Sequence, residues 1–131
     1  MGSHQKRTIR GFLVIGILLS VGLLVTSCLP NPFTRWPKPV INIAEDGSPY
    51  GTAPFTIIFD ISGSYDPDGE IVSFTFDFGD GADLLEGTDI TQPIEHTYET
   101  PGNYFAKLTV KDNGGARGSA WRAIQANPPA A

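Results

Sequence analysis

Residues 71–81 read Ile71-Val72-Ser73-Phe74-Thr75-Phe76-Asp77-Phe78-Gly79-Asp80-Gly81. Val72, Phe74, Phe76 and Phe78 recur at every second position, with Ser73, Thr75 and Asp77 between them. Successive side chains of a strand point to opposite faces, so this alternation predicts a strand with an aromatic face on a core and a polar face in water. Gly79-Asp80-Gly81 ends it, because glycine tolerates the positive φ of a tight turn.

The same period recurs on both sides of that strand. Upstream, Val40–Ile43 is a short apolar run, closed by the turn-rich Glu45-Asp46-Gly47-Ser48-Pro49. Phe55, Ile57, Phe59 and Ile61 then share one face, and Ser62 to Gly69 forms a turn segment. Downstream, residues 82–91 are polar and weakly patterned, and 93–98 predict a short strand. Tyr104, Ala106, Leu108 and Val110 alternate against Phe105, Lys107 and Thr109, before the turn Asp112-Asn113-Gly114-Gly115 and a last strand from Gly118 to Gln125. About seven short strands, spaced near ten residues apart, predict an all-β, antiparallel β-sandwich. A core this small, with no disulfide, implies modest stability.

The chain divides by charge. Residues 1–28 carry Lys6, Arg7 and Arg10 and no acid, whereas residues 29–131 carry six Lys/Arg against fourteen Asp/Glu, a net charge of −8. That acidity excludes nucleic acid as the expected partner, because phosphates must be neutralised by Lys and Arg. The basic stretch precedes the apolar run Gly11–Leu24, and small residues lead to Cys28, the one cysteine of the sequence. This is the layout of a secretory signal peptide. Val25-Thr26-Ser27-Cys28 resembles the prokaryotic lipobox. The resemblance implies diacylation of Cys28 and cleavage before it, leaving the protein exported and attached to a membrane through its lipid. The alternative is an uncleaved hydrophobic anchor helix, since the run approaches the ~20 residues that span a bilayer. Residues 29–38 carry three prolines, with Pro39 next to them as a fourth, and predict an extended tether. Residues 39–126 then form the domain and 127–131 a loose tail.

Three stretches taken together resemble the PKD (polycystic kidney disease) domain. They are Ser62-x-Ser64-x-Asp66-Pro67-Asp68-Gly69, then Phe76-Asp77-Phe78-Gly79-Asp80-Gly81, then His96-Thr97-Tyr98 with Pro101-Gly102-x-Tyr104 and Val110-x-Asp112-Asn113-x-Gly115. The family usually has Trp where this chain has Phe76. The resemblance implies an immunoglobulin-like β-sandwich outside the cell. It implies protein or polysaccharide contacts, or a role as a spacer beside a partner, and it supplies no catalytic residues. His96 is the one histidine of residues 29–131. A triad or a zinc site needs more groups than that, so His96 is expected to be structural, beside a Tyr98 whose hydroxyl locks a corner.

Two features carry functional expectations. In such a sandwich Asp66, Asp68 and Asp112 fall at the end next to the tether, and Asp80, Asp83 and His96 at the other. Asp-x-Asp-Gly suits Ca²⁺, which takes 6–8 oxygens; the same residues also suit capping of their own turn. The resemblance implies calcium in some members of the family and none in others with the same motif. The second feature is aromatic. Trp36, Tyr50, Phe105 and Trp121 fall at positions expected to face outward, where Trp and Tyr favour contact with partners and sugars.

Overall fold

A computed structural model describes residues 35–44 and 47–131. The expected signal segment, Cys28 and most of the proline-rich stretch lie outside the described residues. Eight strands form: β1 (Asn42–Ile43), β2 (Tyr50–Thr52), β3 (Phe55–Asp60), β4 (Ile71–Asp77), β5 (Leu85–Gly87), β6 (Ile94–Tyr98), β7 (Gly102–Asp112) and β8 (Arg117–Asn127). They make two sheets, β1-β3-β6 and β2-β8-β7-β4-β5. All pairings are antiparallel except β2 on β8, which is parallel. The fold is thus the expected all-β sandwich, with one parallel pair at an edge.

The core lies between the sheets and is built from the alternating residues. Ile57 and Phe59 from β3 and Ile94 and Tyr98 from β6 face Phe74, Phe76, Leu108, Val110 and Ile124 of the larger sheet. Rings form its centre: Phe59 to Phe76 is 4.9 Å between centroids, and Phe76 to Phe78 is 5.1 Å. Phe76 is fully buried, so the smaller ring keeps the inward place that the family gives to Trp. Gly79 follows at φ 79° with its Cα against the Phe105 backbone. A side chain there would be strained by its φ and blocked by its neighbour.

Several details differ from the expectation. Val72 is exposed rather than inward, because the β4–β7 register shifts between Ile71 and Ser73. Such a bulge breaks the period of two that alternation assumes. Leu85–Gly87 is a strand inside the stretch that showed no pattern; as an exposed edge it has little buried face to write into the sequence. Tyr50–Thr52 is a strand in the stretch between the Glu45–Pro49 turn and Phe55, where the sequence shows no pattern. The packed chain also reaches beyond 39–126. Pro37 is fully buried with its carbonyl against Gly118, Lys38 pairs with Tyr65, and the Asn127 carbonyl accepts from the Ala53 N–H.

Phe76→Ala removes a fully buried ring at the meeting point of both sheets. It is expected to cost about 3–5 kcal/mol, read as a lower denaturant midpoint; a loss below about 1 kcal/mol would remove Phe76 from the core.

Candidate functional site

The outer face of the five-stranded sheet is set by the register of β7 and β8. Phe105 pairs with Ala123, Lys107 with Trp121, Thr109 with Ser119 and Lys111 with Arg117. These residues alternate with the buried Ala106, Leu108 and Val110, so all of them point away from the core. β4 adds Ser73, Thr75 and Asp77 to the same rows, and β2 adds Tyr50 beside Gln125. Three aromatic side chains consequently share one face: Tyr50, Phe105 and Trp121 are 63%, 64% and 62% exposed. Lys107 Nζ lies 5.4 Å from the Trp121 ring centroid, near enough to hold the indole by a cation–π contact. Between Tyr50 and Phe105 runs a groove of about 360 Å³ over Ala123, with the carboxamides of Asn103 and Gln125 at its sides. Trp36 is equally exposed but belongs to no strand; it precedes the buried Pro37 at the entry to the domain.

Sequence reasoning placed Phe105 and Trp121 outward but could not pair them. It missed Asn103 and Gln125 as their polar companions. The parallel β2–β8 contact, which brings Tyr50 to Gln125, joins segments distant in sequence and leaves no local signal.

Asp66, Asp68 and Asp112 gather at one end. The Asn113 N–H donates to the Glu70 carbonyl, tying the β7–β8 turn to the β3–β4 loop. Asp68 Oδ2 accepts from the Arg35 N–H at 2.8 Å, and Asp112 Oδ1 from the Ala116 N–H at 2.8 Å. Asp112 is buried and holds its hairpin turn together. Asp66 Oδ1 accepts from the Asp68 N–H at 3.4 Å, a long Asx-type bond, whereas Asp66 Oδ2 is enclosed without a partner. Burial of that carboxyl, with the neighbouring Asp68 carboxyl and repulsion from Asp68 and Asp112, raises it above its ordinary value against the pull of the Asp68 N–H. Among the described residues no three His, Cys, Asp or Glu side chains are grouped closely enough to hold an ion by themselves.

At the other end Asp80 meets His96, with Oδ2 and Nε2 2.7 Å apart. The imidazole stacks on Phe78 at 3.8 Å and meets the edge of Tyr98 at 4.8 Å. Tyr98 is fully buried and its hydroxyl donates to the Phe78 carbonyl at 2.9 Å, joining β6 to the segment after β4. Asp77 Oδ1 accepts from the Gly79 N–H and Asp80 Oδ1 from the Ala82 N–H, so both carboxylates shape the turn around Gly79 and Gly81. These contacts hold the corner and its turn together, and among the described residues no nucleophile with an oriented base is arranged at this end.

Two stacked sheets, aromatic rings between them and a tyrosine bridging sheet to sheet define an immunoglobulin-like β-sandwich. Within that class the chain belongs to the PKD domain family, whose model matches residues 36–125. It is 42% identical over 78 residues to the Bacillus cereus (strain Q1) collagenase ColQ1, covering 59% of this chain and 7% of that protein. It is 30% identical over 99 residues to the microbial collagenase of Vibrio alginolyticus, covering 72% of this chain and 12% of the relative. The chain thus corresponds to a small fraction of these relatives. A structure of carbohydrate-binding modules from the β-sandwich superfamily superposes with a TM-score of 0.61 at 34% identity, over 74% of this chain and 36% of that one. The PKD1 domain of Vibrio anguillarum Epp superposes with a TM-score of 0.56 at 27% identity, over 73% and 99%. The domain is a non-catalytic binding or accessory module of a kind found in exported proteins.

The Asp80–His96 contact gives a pH dependence. Burial alone would raise the Asp80 carboxyl, but the hydrogen bonds from His96 and Ala82 outweigh it and hold it below its ordinary value. A carboxylate with a lowered folded pKa contributes stability that is present above its unfolded pKa, about 3.9. That contribution is lost as pH falls through the lower folded value. Asp80→Asn is therefore expected to lower stability at pH 7 by about 1 kcal/mol, a modest figure because water still reaches the pair, whose His96 and Asp80 side chains are 15% and 17% exposed. The difference from the parent chain should close below pH 4 in denaturation curves; a gap that persists at pH 2 would contradict it.

Proposed function

We propose that this protein is a cell-surface binding module, held to the membrane by lipid on Cys28, that contacts an extracellular polysaccharide or protein through the outer face of its larger sheet. The observation that carries this reading is the placement of Tyr50, Phe105 and Trp121, each more than three-fifths exposed, on one flat face. Large rings left in water on a rigid sheet lose little entropy on binding and supply most of the energy of a contact. The carboxamides beside the Tyr50–Phe105 groove can direct hydrogen bonds to hydroxyl or amide groups. Likeness to carbohydrate-binding modules and to collagenases supports an extracellular polymer as the target.

The test uses the full chain in cells and as purified protein. Cys28→Ala should abolish palmitate labelling and release from the membrane should follow if the lipid is the anchor. Trp121→Ala should weaken retention on immobilised extracellular polymers about tenfold without lowering the melting temperature by more than a few degrees. Unchanged retention would leave the domain a spacer that presents a partner.

A second reading concerns the opposite, acidic corner, and the enclosed, unpartnered Asp66 Oδ2 favours it. Asp66 and Asp68, with the free lone pairs of Asp112 and Asn113, fit Ca²⁺ if backbone carbonyls and water complete its shell. Gly69 keeps this corner open, since a Cβ there would stand 2.7 Å from Asp66 Oδ2. A bound cation would relieve the repulsion around Asp66. Millimolar calcium is then expected to raise the melting temperature by roughly 10–20 °C, from about 2.7 kcal/mol at a hundredfold excess over Kd and 4–8 °C per kcal/mol. Asp68→Asn should remove that shift. A melting temperature indifferent to calcium and to chelator would assign these carboxylates to turn capping alone.

A further inference from the structure

The basic residues of this acidic chain are not scattered. Residues 101–131 hold four of the six Lys/Arg found after Cys28, and a single acid, Asp112. Asp112 is buried and spent on the β7–β8 turn. Of the four cations, Lys107, Lys111 and Arg117 point outward from the sheet face that carries the aromatic rings. Among the described residues His96–Asp80 is the sole ion-pair contact, so these three have no carboxylate partner within 4.0 Å. Asp77 on β4 is the register partner of Lys107, and Glu86 on β5 lies across Thr75 in the row of Thr109, yet neither makes an ion pair with these cations.

The rows give the face a direction. Asn103, Gln125 and Tyr50 lie at one end, then Phe105, then Lys107 with Trp121, then Thr109 with Ser119, and Lys111 with Arg117 at the other end. Alternate residues of a strand are about 7 Å apart, so five rows extend roughly 27 Å, long enough for several sugar rings. The cationic end holds a second groove of about 460 Å³, lined by the hydroxyls of Ser73, Thr75 and Thr88 and by Lys111 and Arg117, with the single carboxylate Glu86 on its wall.

We propose that this face takes an anionic polysaccharide, one bearing carboxylate or sulfate groups on a chain of sugars. Aromatic rings suit the flat faces of sugars, hydroxyls and carboxamides suit their hydroxyl groups, and unpaired cations suit their charges. The spacing argues for a sparsely charged polymer. Lys107 and Lys111 are about 13 Å apart along β7, whereas one strand of DNA carries a phosphate every ~3.4 Å. Residues 29–131, of net charge −8, would also repel so dense an array. The inference rests on the sheet face being a contact surface at all, and adds the chemistry of what it contacts.

The full chain, solubilised in a neutral detergent, is titrated with polygalacturonate, with the same polymer methyl-esterified, with a neutral β-glucan and with single-stranded DNA. Polygalacturonate is expected to bind at least tenfold more tightly than its ester. That advantage should vanish in 0.5 M salt, the Debye length then falling well below 10 Å. The double variant Lys111→Ala/Arg117→Ala should lose the same advantage, while Trp121→Ala weakens acid and ester alike. Equal affinity for acid and ester, an unaffected double variant, or tighter binding to DNA overturns the proposal. Binding of the neutral polymers alone, lost in Trp121→Ala, overturns the charge inference and leaves the proposed contact face standing. Absence of binding to every polysaccharide removes the anionic-polysaccharide proposal, and the contact face then rests on protein ligands. A melting curve for each variant distinguishes lost contacts from lost fold.

Discussion

The packing of Phe59, Phe76 and Phe78 against Tyr98 is the contact through which one sheet holds the other. The sequence has one cysteine, outside the sandwich, so no disulfide joins the layers. What joins them is ring area removed from water, at about 25 cal/mol per Å², and one directed bond, from the Tyr98 hydroxyl to the Phe78 carbonyl. The bond adds geometry that apolar packing lacks: it places β6 opposite the end of β4. Burial, helped by the nearby Asp80 charge, raises the Tyr98 pKa, so its hydroxyl stays protonated and remains a donor. Through His96 and Tyr104 the aromatic contacts continue from the core to the end of the domain. A rigid interior of this kind keeps the five-stranded sheet in shape, and the outer face inherits that rigidity.

The same arrangement explains where the charge goes. Loops at both ends must satisfy backbone N–H groups that no strand pairs, and short carboxylates do so. Asp60 caps Ser62, Asp77 caps Gly79, Asp80 caps Ala82 and Asp89 caps Thr91. Four acids are thereby committed to turns, where each accepts a hydrogen bond within its own loop. The long β7–β8 hairpin needs one such cap, Asp112, and its faces stay free of acids. An acidic protein thus presents a neutral-to-basic face without any special device.

Function follows from that division of labour. The ends hold the fold and the face is available. A ligand meeting Tyr50, Phe105 and Trp121 meets side chains fixed on strands, so little ordering entropy opposes binding. This suits the proposed role of a module that holds on to a polymer and performs no chemistry on it. The domain matches only a small fraction of the length of its collagenase relatives.

Alternation in Phe55–Ile61, Phe74–Phe78 and Tyr104–Val110 was enough to read the strands, because each has one buried face and the period of two survives into the sequence. The turn motifs around Asp66, Gly79 and Asp112 were legible for a similar reason: local φ/ψ demands local residue types. The bulge at Val72, the edge strand Leu85–Gly87 and the parallel contact of Tyr50–Thr52 were not legible, since none of them is set by neighbours in the chain. The outward residues were nameable one by one, Trp121 and Phe105 among them. Only the β7–β8 register put Trp121 beside Lys107 and Arg117 beside Lys111, and only the sheet order carried Tyr50 to the same face. Local structure depends on the few residues around each position, and the sequence records it directly. A surface depends on which strands pair and in what register, which long-range packing of the core decides.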